Sequence, residues 1–401
     1  MQKITILGLG YIGLPTAITL ADAGFTVTGF DTNAEVVNIL NTGRIHIVEP
    51  GLADALKRSM DGGRLTFTHE LRESEVFYIA VPTPFFSEMG RISADLSYVS
   101  SAAEMVGKVI REGNLVILES TVPPRTTKML SEIIEKTSGL REGQFYMAHC
   151  PERVIPGNML SELKNNDRII GGRTKEAGER AKAIYERVLV GGKVRLTDDL
   201  TAEMCKLTEN TFRDVNIAFA NELSIICDEL GIDVFNLISL ANCHPRVKIL
   251  NPGVGVGGHC IAVDPWFIYE QFPEEAKLIY AARLRNDAKP RYVADRVSKA
   301  VAGKKKPVVA VLGLSYKPDV DDLRESPSIE LCHELMQRGL TVVACEPFVP
   351  GDVSGIANLP LEEAIDRCDF AVVTLAHTAF REKKELIASK PYYDCVGLMK
   401  H

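Results

Sequence analysis

The ten residues "GGHCIAVDPW", Gly257 to Trp266, place a cysteine and an aspartate four positions apart in a glycine-rich stretch. The run before it, "NPGVGV", adds more glycine than a regular helix or strand tolerates. An ordinary cysteine thiol, with a pKa of about 8.5, is only slightly ionised at neutral pH. A nearby cation and uncovered peptide N–H groups would raise the thiolate fraction. Gly257 and Gly258 offer such N–H groups, and Lys206 is a candidate cation. Asp264 could orient a water or hold the lysine. Taken alone, Cys260 reads as a buried structural thiol. The nine cysteines are scattered and never spaced C-x-x-C, which fits reduced thiols and predicts no metal site. The adjacent pairs His149–Cys150 and His259–Cys260 lack spaced partners for ligation.

Such a loop needs a scaffold, and the chain begins with one. "ITILGLGYIGLPTAITLADAGFTVTGFD" reads as strand, glycine turn, helix, strand, with Gly8, Gly10 and Gly13 in G-x-G-x-x-G and Asp31 ending the second strand. In that context the glycines allow a tight turn, close approach of a pyrophosphate and helix packing on the strand. The helix N-terminus faces phosphates and the acid accepts ribose hydroxyls. An acid at Asp31 would repel a 2′-phosphate, so NAD is expected rather than NADP. Three further strands end in polar loops, carrying Thr83, then Glu119 to Thr121, then Glu152 and Arg153. Ligands of open α/β sheets gather at these carboxyl ends. Beside NAD, a thiol can trap an aldehyde as a thiohemiacetal, and a second oxidation gives a thioester that water cleaves.

From Asp198 a helical pattern runs for some thirty residues, with Thr201 as expected N-cap and Gly231 as terminator. It is apolar on more than one side, which predicts burial between domains or subunits. Lys206, Asn210 and Arg213 share one face, at i, i+4 and i+7. After Pro307 a second α/β unit begins without G-x-G-x-x-G. Gly313 is followed by Leu314, Ser315 and Tyr316, and Tyr316, Lys317 and Arg324 become its ligand groups. The expected fold is α/β, with two Rossmann-like doubly wound domains joined by a long central helix and a helical dimerisation region. The expected divisions are 1–197, 198–302 and 303–401.

Net charge is −7 over 401 residues and there is no basic stripe, so nucleic acid is not an expected partner. No apolar run approaches the ~20 residues of a membrane span, and Met1 leads directly into a strand without a leader pattern. Cytoplasmic residence is expected.

The motifs "GLGYIGLPTA", "AVPTPF", "ILESTVPP", "CPERVIPG", "AEMCKLTENTFRDVNIAFANELS", "HPRV", "GVGGHCIAVDPWF" and "KPDVDDLRESP" cover nearly the whole chain. With them the sequence resembles the UDP-glucose/GDP-mannose dehydrogenase family. The resemblance implies a four-electron, NAD-dependent oxidation of a sugar C6 alcohol to a carboxylate on a UDP-sugar, by a homodimer or higher homo-oligomer. It implies Cys260 as nucleophile, Lys206 steadying thiolate and oxyanion, and Asp264 with Thr121 and Glu152 positioning the base or hydrolytic water. Tyr11, Ile12, Asp31, Thr83, Thr121 and Arg324 would touch NAD. Arg153, Val154, Lys206, Asn210, Arg213, His244, Arg246, Gly257, Tyr316 and Lys317 would meet the nucleotide sugar. The wording "HCIAVDPWF" and "CPERVIPG" resembles the branch acting on 2-acetamido sugars. UDP-N-acetyl-D-mannosamine is the favoured substrate; UDP-N-acetylglucosamine and UDP-glucose are alternatives. One departure stands out: Pro124 is followed by Arg125 where many family members have glycine.

Overall fold

The computed structural model describes residues 2–88, 91–155, 157–258 and 260–400. His259, beside the candidate cysteine, lies outside them. The chain forms two compact units, Met1–Thr208 and Glu209–His401.

The first unit is built on β1 (Lys3–Leu7), β2 (Thr26–Phe30), β3 (Leu65–Thr68), β4 (Val76–Ile79), β7 (Leu115–Leu118), β8 (Tyr146–His149), β9 (Arg168–Gly172) and β10 (Val194–Asp198). A short hairpin, β5 (Phe85–Glu88) and β6 (Arg91–Ala94), stands apart from this sheet. The sheet order is β10-β9-β8-β7-β4-β1-β2-β3, parallel except where β8 meets β9. Fully buried runs such as "VFYI" and "LVIL" are what a parallel sheet covered on both faces requires. The two-residue period assigns the faces: Val76 and Tyr78 enter one core, Phe77 and Ile79 the other. The order reverses between β1 and β4, so their carboxyl-end loops part and open a crevice.

The second unit repeats the plan in small. Its strands β11 (Val308–Leu312), β12 (Thr341–Cys345), β13 (Ala357–Asn358), β14 (Phe370–Val373) and β15 (Tyr392–Asp394) form a parallel sheet in the order β13-β12-β11-β14-β15. Val309 and Val311 serve one core, Ala310 and Leu312 the other.

One helix, Asp199–Leu230, runs through the sequence position where the two units divide. It begins two residues before the expected N-cap. Asp198 takes the capping role instead, its carboxylate accepting bonds from the Thr201 amide (2.8 Å) and hydroxyl (2.7 Å). A charged acceptor one residue ahead of the helix outcompetes a hydroxyl inside its first turn. Gly231, at φ +70°, ends the helix as expected. Within the single chain, Phe212, Phe219, Ile226 and Leu230 on this helix remain 68%, 50%, 46% and 66% exposed. No helix among the described residues is long and apolar enough to cross a membrane.

Candidate active site

The glycine turn does what its spacing predicts. Gly8 has φ +91°, and a Cβ there would lie 2.6 Å from the Ala80 carbonyl oxygen. A Cβ on Gly13 would lie 1.9 Å from the Gly8 carbonyl oxygen. Both glycines are therefore demanded by the protein itself. Gly10 is different, because a Cβ there meets nothing within 4 Å. Its missing side chain leaves space in front of the helix Gly13–Asp22, which has no acid in its first turn. Asp31 closes the far side. Its Oδ2 accepts the Leu9 amide at 2.9 Å and its Oδ1 the Asn33 amide at 2.9 Å. Open space over Gly10, helix amides and a fixed carboxylate match the pyrophosphate and ribose of NAD. Tyr11 and Ile12 sit on this turn, Tyr11 45% exposed.

The polar loops after β4 and β7 are stitched together. Thr83 Oγ1 donates to the Thr121 carbonyl at 2.8 Å, and Ser120 Oγ to the Val81 carbonyl at 2.7 Å. Glu152, after β8, is buried. Its Oε1 accepts the Arg153 amide at 2.5 Å, and its Oε2 lies 2.6 Å from Arg168 Nη2. Arg153 donates to the Asp167 carbonyl, and Val154 beside it is half-buried. Glu119 is buried beside this pair and accepts from Thr16 Oγ1 at 3.0 Å. Burial, then the Glu152 charge, pushes the Glu119 carboxyl up to about 8, against the pull of Arg168. Buried Arg168 is ion-paired with Glu152, and Glu119 beside them keeps its proton at neutral pH.

The second unit holds the cysteine loop. Cys260 is exposed, and no described cysteine is in a disulfide, so the buried structural alternative for this thiol does not apply. The Cys260 carbonyl accepts the Asp264 amide at 2.8 Å and the Val263 amide at 3.1 Å, closing a turn onto the helix Asp264–Gln271. Asp264 is buried, and its Oδ2 accepts from Asn210 Nδ2 at 2.5 Å. Ahead of the cysteine, Gly257 and Gly258 lie against Tyr316. Side chains there would press on Tyr316 and, at Gly257, on the Glu325 carbonyl at 2.4 Å. The Gly258 amide donates to the Arg324 carbonyl at 3.2 Å. The loop is also held from behind: Gly253 donates to Asn221 Oδ1, and Asn221 to Asn286. Asn286 in turn bonds Asp214, which is ion-paired with buried Arg283. Burial, then the charge of Asp322, raises the Tyr316 hydroxyl pKa; Cys260 adds to the rise.

The structure thus gathers Gly257, Asn210, Asp264, Cys260 and Tyr316 in one unit, and Gly8 to Gly13, Asp31, Thr83, Thr121, Glu152 and Arg153 in the other. Lys206 lies one helical turn before Asn210 on the same helix. Arg213, His244 and Arg246 are exposed, and Lys317 is half-buried. Arg324 is held by its neighbour Asp322 through two bonds, at 2.8 and 2.6 Å. Sequence reasoning missed Arg168, an ion-pair partner sixteen positions after Glu152. A cation opening a strand that is otherwise apolar was its one signal.

Comparison with known proteins agrees with this geometry. Residues 2–189 match the NAD binding domain of the UDP-glucose/GDP-mannose dehydrogenase family, 200–288 its central domain and 310–401 its UDP binding domain. The chain is 50% identical to an NDP-N-acetyl-D-galactosaminuronic acid dehydrogenase of Ralstonia nicotianae, over 95% of this chain and 92% of that one. It is 46% identical to a UDP-N-acetyl-D-mannosamine dehydrogenase of Campylobacter jejuni, over 95% and 97%. A solved UDP-D-ManNAc dehydrogenase from Pyrococcus horikoshii superposes with a TM-score of 0.91 at 40% identity, covering 100% of this chain and 96% of that one. This protein, an NAD-dependent nucleotide-sugar dehydrogenase, belongs to the UDP-glucose/GDP-mannose dehydrogenase family.

Proposed function

We propose that the enzyme oxidises UDP-N-acetyl-D-mannosamine at C6 to UDP-N-acetyl-D-mannosaminuronate in two steps at Cys260. The observation that carries this reading is the turn from Cys260 to Asp264, with Cys260 exposed and the carboxylate buried against Asn210. NAD, when bound, accepts a hydride in each oxidation. Asp264, with Thr121 and Glu152, positions the water or base that receives the alcohol proton. The base passes that proton on to solvent; Cys260 Sγ, losing its own proton to the freed base, then adds to the C6 aldehyde and makes the C–S bond of a thiohemiacetal. Lys206 stabilises the thiolate and the hemiacetal oxyanion by its fixed charge. The second oxidation leaves a thioester on Cys260. Water attacks its carbonyl, giving one proton to the base and the other to sulfur as the C–S bond breaks, so that the carboxylate leaves and the Cys260 thiol is restored.

Arg153, Arg213, Arg246, Lys206 and Lys317 provide cations for a diphosphate. Val154, Asn210, His244, Gly257 and Tyr316 complete the sugar-nucleotide contacts, and Tyr11, Ile12, Asp31, Thr83 and Arg324 those of NAD. The working divisions are 1–197 for the cofactor, 198–302 for the cysteine and dimerisation, and 303–401 for UDP. The exposed apolar positions of the long helix support a homodimer through that helix. Cytoplasmic residence belongs to the same reading.

Identity to the galactosaminuronic acid enzyme supports a second reading, UDP-N-acetyl-D-galactosamine. A panel of UDP-N-acetylmannosamine, UDP-N-acetylglucosamine, UDP-N-acetylgalactosamine and UDP-glucose, followed by NADH formation, separates them. The manno sugar is expected to give the highest kcat/KM, and a higher value for any other overturns the assignment.

A further inference from the structure

Among the described residues of the first unit, Arg125 is the one non-glycine residue with a positive φ. Its backbone lies at φ +73° and ψ 4°, the left-handed region that a residue with a Cβ enters at a cost. It precedes the helix Thr126–Ser138 and makes no side-chain cap. The cap comes from outside. Glu203, on the long helix and 1% exposed, accepts the Arg125 amide through Oε2 at 2.6 Å. Its Oε1 accepts the Thr127 amide at 2.7 Å and the Thr127 hydroxyl at 2.5 Å. One carboxylate thus meets three donors around the strained residue and satisfies amides that a helix start leaves without intrahelical partners.

The placement of this clamp has a consequence for catalysis. The segment it grips begins at Ser120 and Thr121, which are bonded to the Val81 carbonyl and to Thr83. Glu203 itself lies one helical turn before Lys206. We propose that Glu203 is a positioning residue. It fastens the segment carrying Thr121 to the helix carrying Lys206, and holds Arg125 in a conformation that would otherwise suit only glycine. This role rests on the proposed parts of Thr121 and Lys206 in the oxidation. Its readout at the backbone does not.

The test compares wild type, Glu203→Gln, Arg125→Gly and the double variant. Each is followed by steady-state kinetics and by amide hydrogen exchange at Arg125 and Thr127. Glutamine keeps the shape but turns a donor toward donors, so kcat should fall by about tenfold or more, with both KM values within about threefold. Exchange at the two amides should speed by about tenfold or more. Arg125→Gly alone should keep kcat within about twofold of wild type. Added to Glu203→Gln, it should recover much of the lost kcat, because glycine adopts the left-handed conformation unaided. Unchanged exchange in Glu203→Gln overturns the clamp. A kcat loss that glycine does not reduce, or one matched by an equal rise in KM, overturns the positioning role. Should Glu203→Gln fail to fold, Glu203→Asp, which shortens the reach to the same donors, carries the same comparisons. If the wild type oxidises no UDP-sugar, the functional reading fails, and hydrogen exchange alone decides whether Glu203 holds the segment.

Discussion

The bond from Asn210 to Asp264 lies four positions along the chain from Cys260, the proposed nucleophile. A hydrogen bond to a charged group contributes about 1.5–3 kcal/mol, and each ~1.4 kcal/mol is tenfold in rate. Asn210→Ala should therefore lower kcat/KM by about ten- to a hundredfold and also lower the thermal midpoint, since it strips a partner from buried Asp264; steady-state kinetics and calorimetry check both. Glu119 supports a different kind of test. Thr16, Tyr185, Tyr78, Cys150, Glu152 and Arg168 surround it, and burial raises its carboxyl from 4.5 to about 8. The folded protein then holds a proton that the unfolded chain releases near 4.5. The stabilisation is fully present below pH 4.5 and is lost as pH rises to about 8. Glu119→Gln, which cannot ionise, should flatten this part of the curve of melting temperature against pH. Parallel curves for the two proteins would contradict a proton held at Glu119.

Among the elements, the two glycine turns show how one scaffold serves two purposes. Gly313 has φ +101°, like Gly8, and Glu346 ends β12 as Asp31 ends β2. Asp31 holds one amide of its glycine loop, whereas Glu346 Oε2 takes two, from Leu314 and Ser315, and also faces buried His377. Burial opposes ionisation of Glu346, but His377 and these amides outweigh it and hold the carboxyl down to about 2. The second acid is consumed by its own loop, consistent with the missing third glycine. In the first turn, Gly10→Ala should leave folding intact and raise the KM for NAD by about tenfold or more, since only a ligand can object to the methyl group. An unchanged KM would remove Gly10 from the cofactor site. Much of this was legible in the sequence, because a glycine turn, its helix and the acid ending β2 lie within one short stretch. The Rossmann plan and the cysteine loop follow from such local patterns. The Arg168–Glu152 pair and the Glu203 clamp do not, since partners brought together by the fold leave no local spacing to read; Glu203 and Arg125 are 78 positions apart. The expected helix cap lies three residues too late because Thr201 and Asp198 are both competent caps, and only geometry decides between them.

For the whole molecule, the exposed Phe212, Phe219 and Ile226 recur every seven residues along one helix, a spacing suited to a partner helix. Covering them gains about 25 cal/mol per Å² of apolar area, and two-fold dimers are the commonest closed assemblies. The exposed loop carrying His244 and Arg246 follows the next helix, Val234–Ala241. A dimer in which Arg246 serves the neighbouring site predicts complementation. Under subunit exchange, Cys260→Ala mixed with Arg246→Ala should regain a fraction of wild-type activity, because one site of the mixed dimer carries neither defect. Activity that stays at baseline after demonstrated exchange would place Arg246 at its own subunit's site or at none. The central claim is that one enzyme carries the sugar through two oxidations on one sulfur. Its most direct measurement is the amount of NADH formed per molecule of UDP-N-acetylmannosamine consumed, taken to completion. The account predicts two NADH and no aldehyde in solution; one NADH with free aldehyde would contradict it.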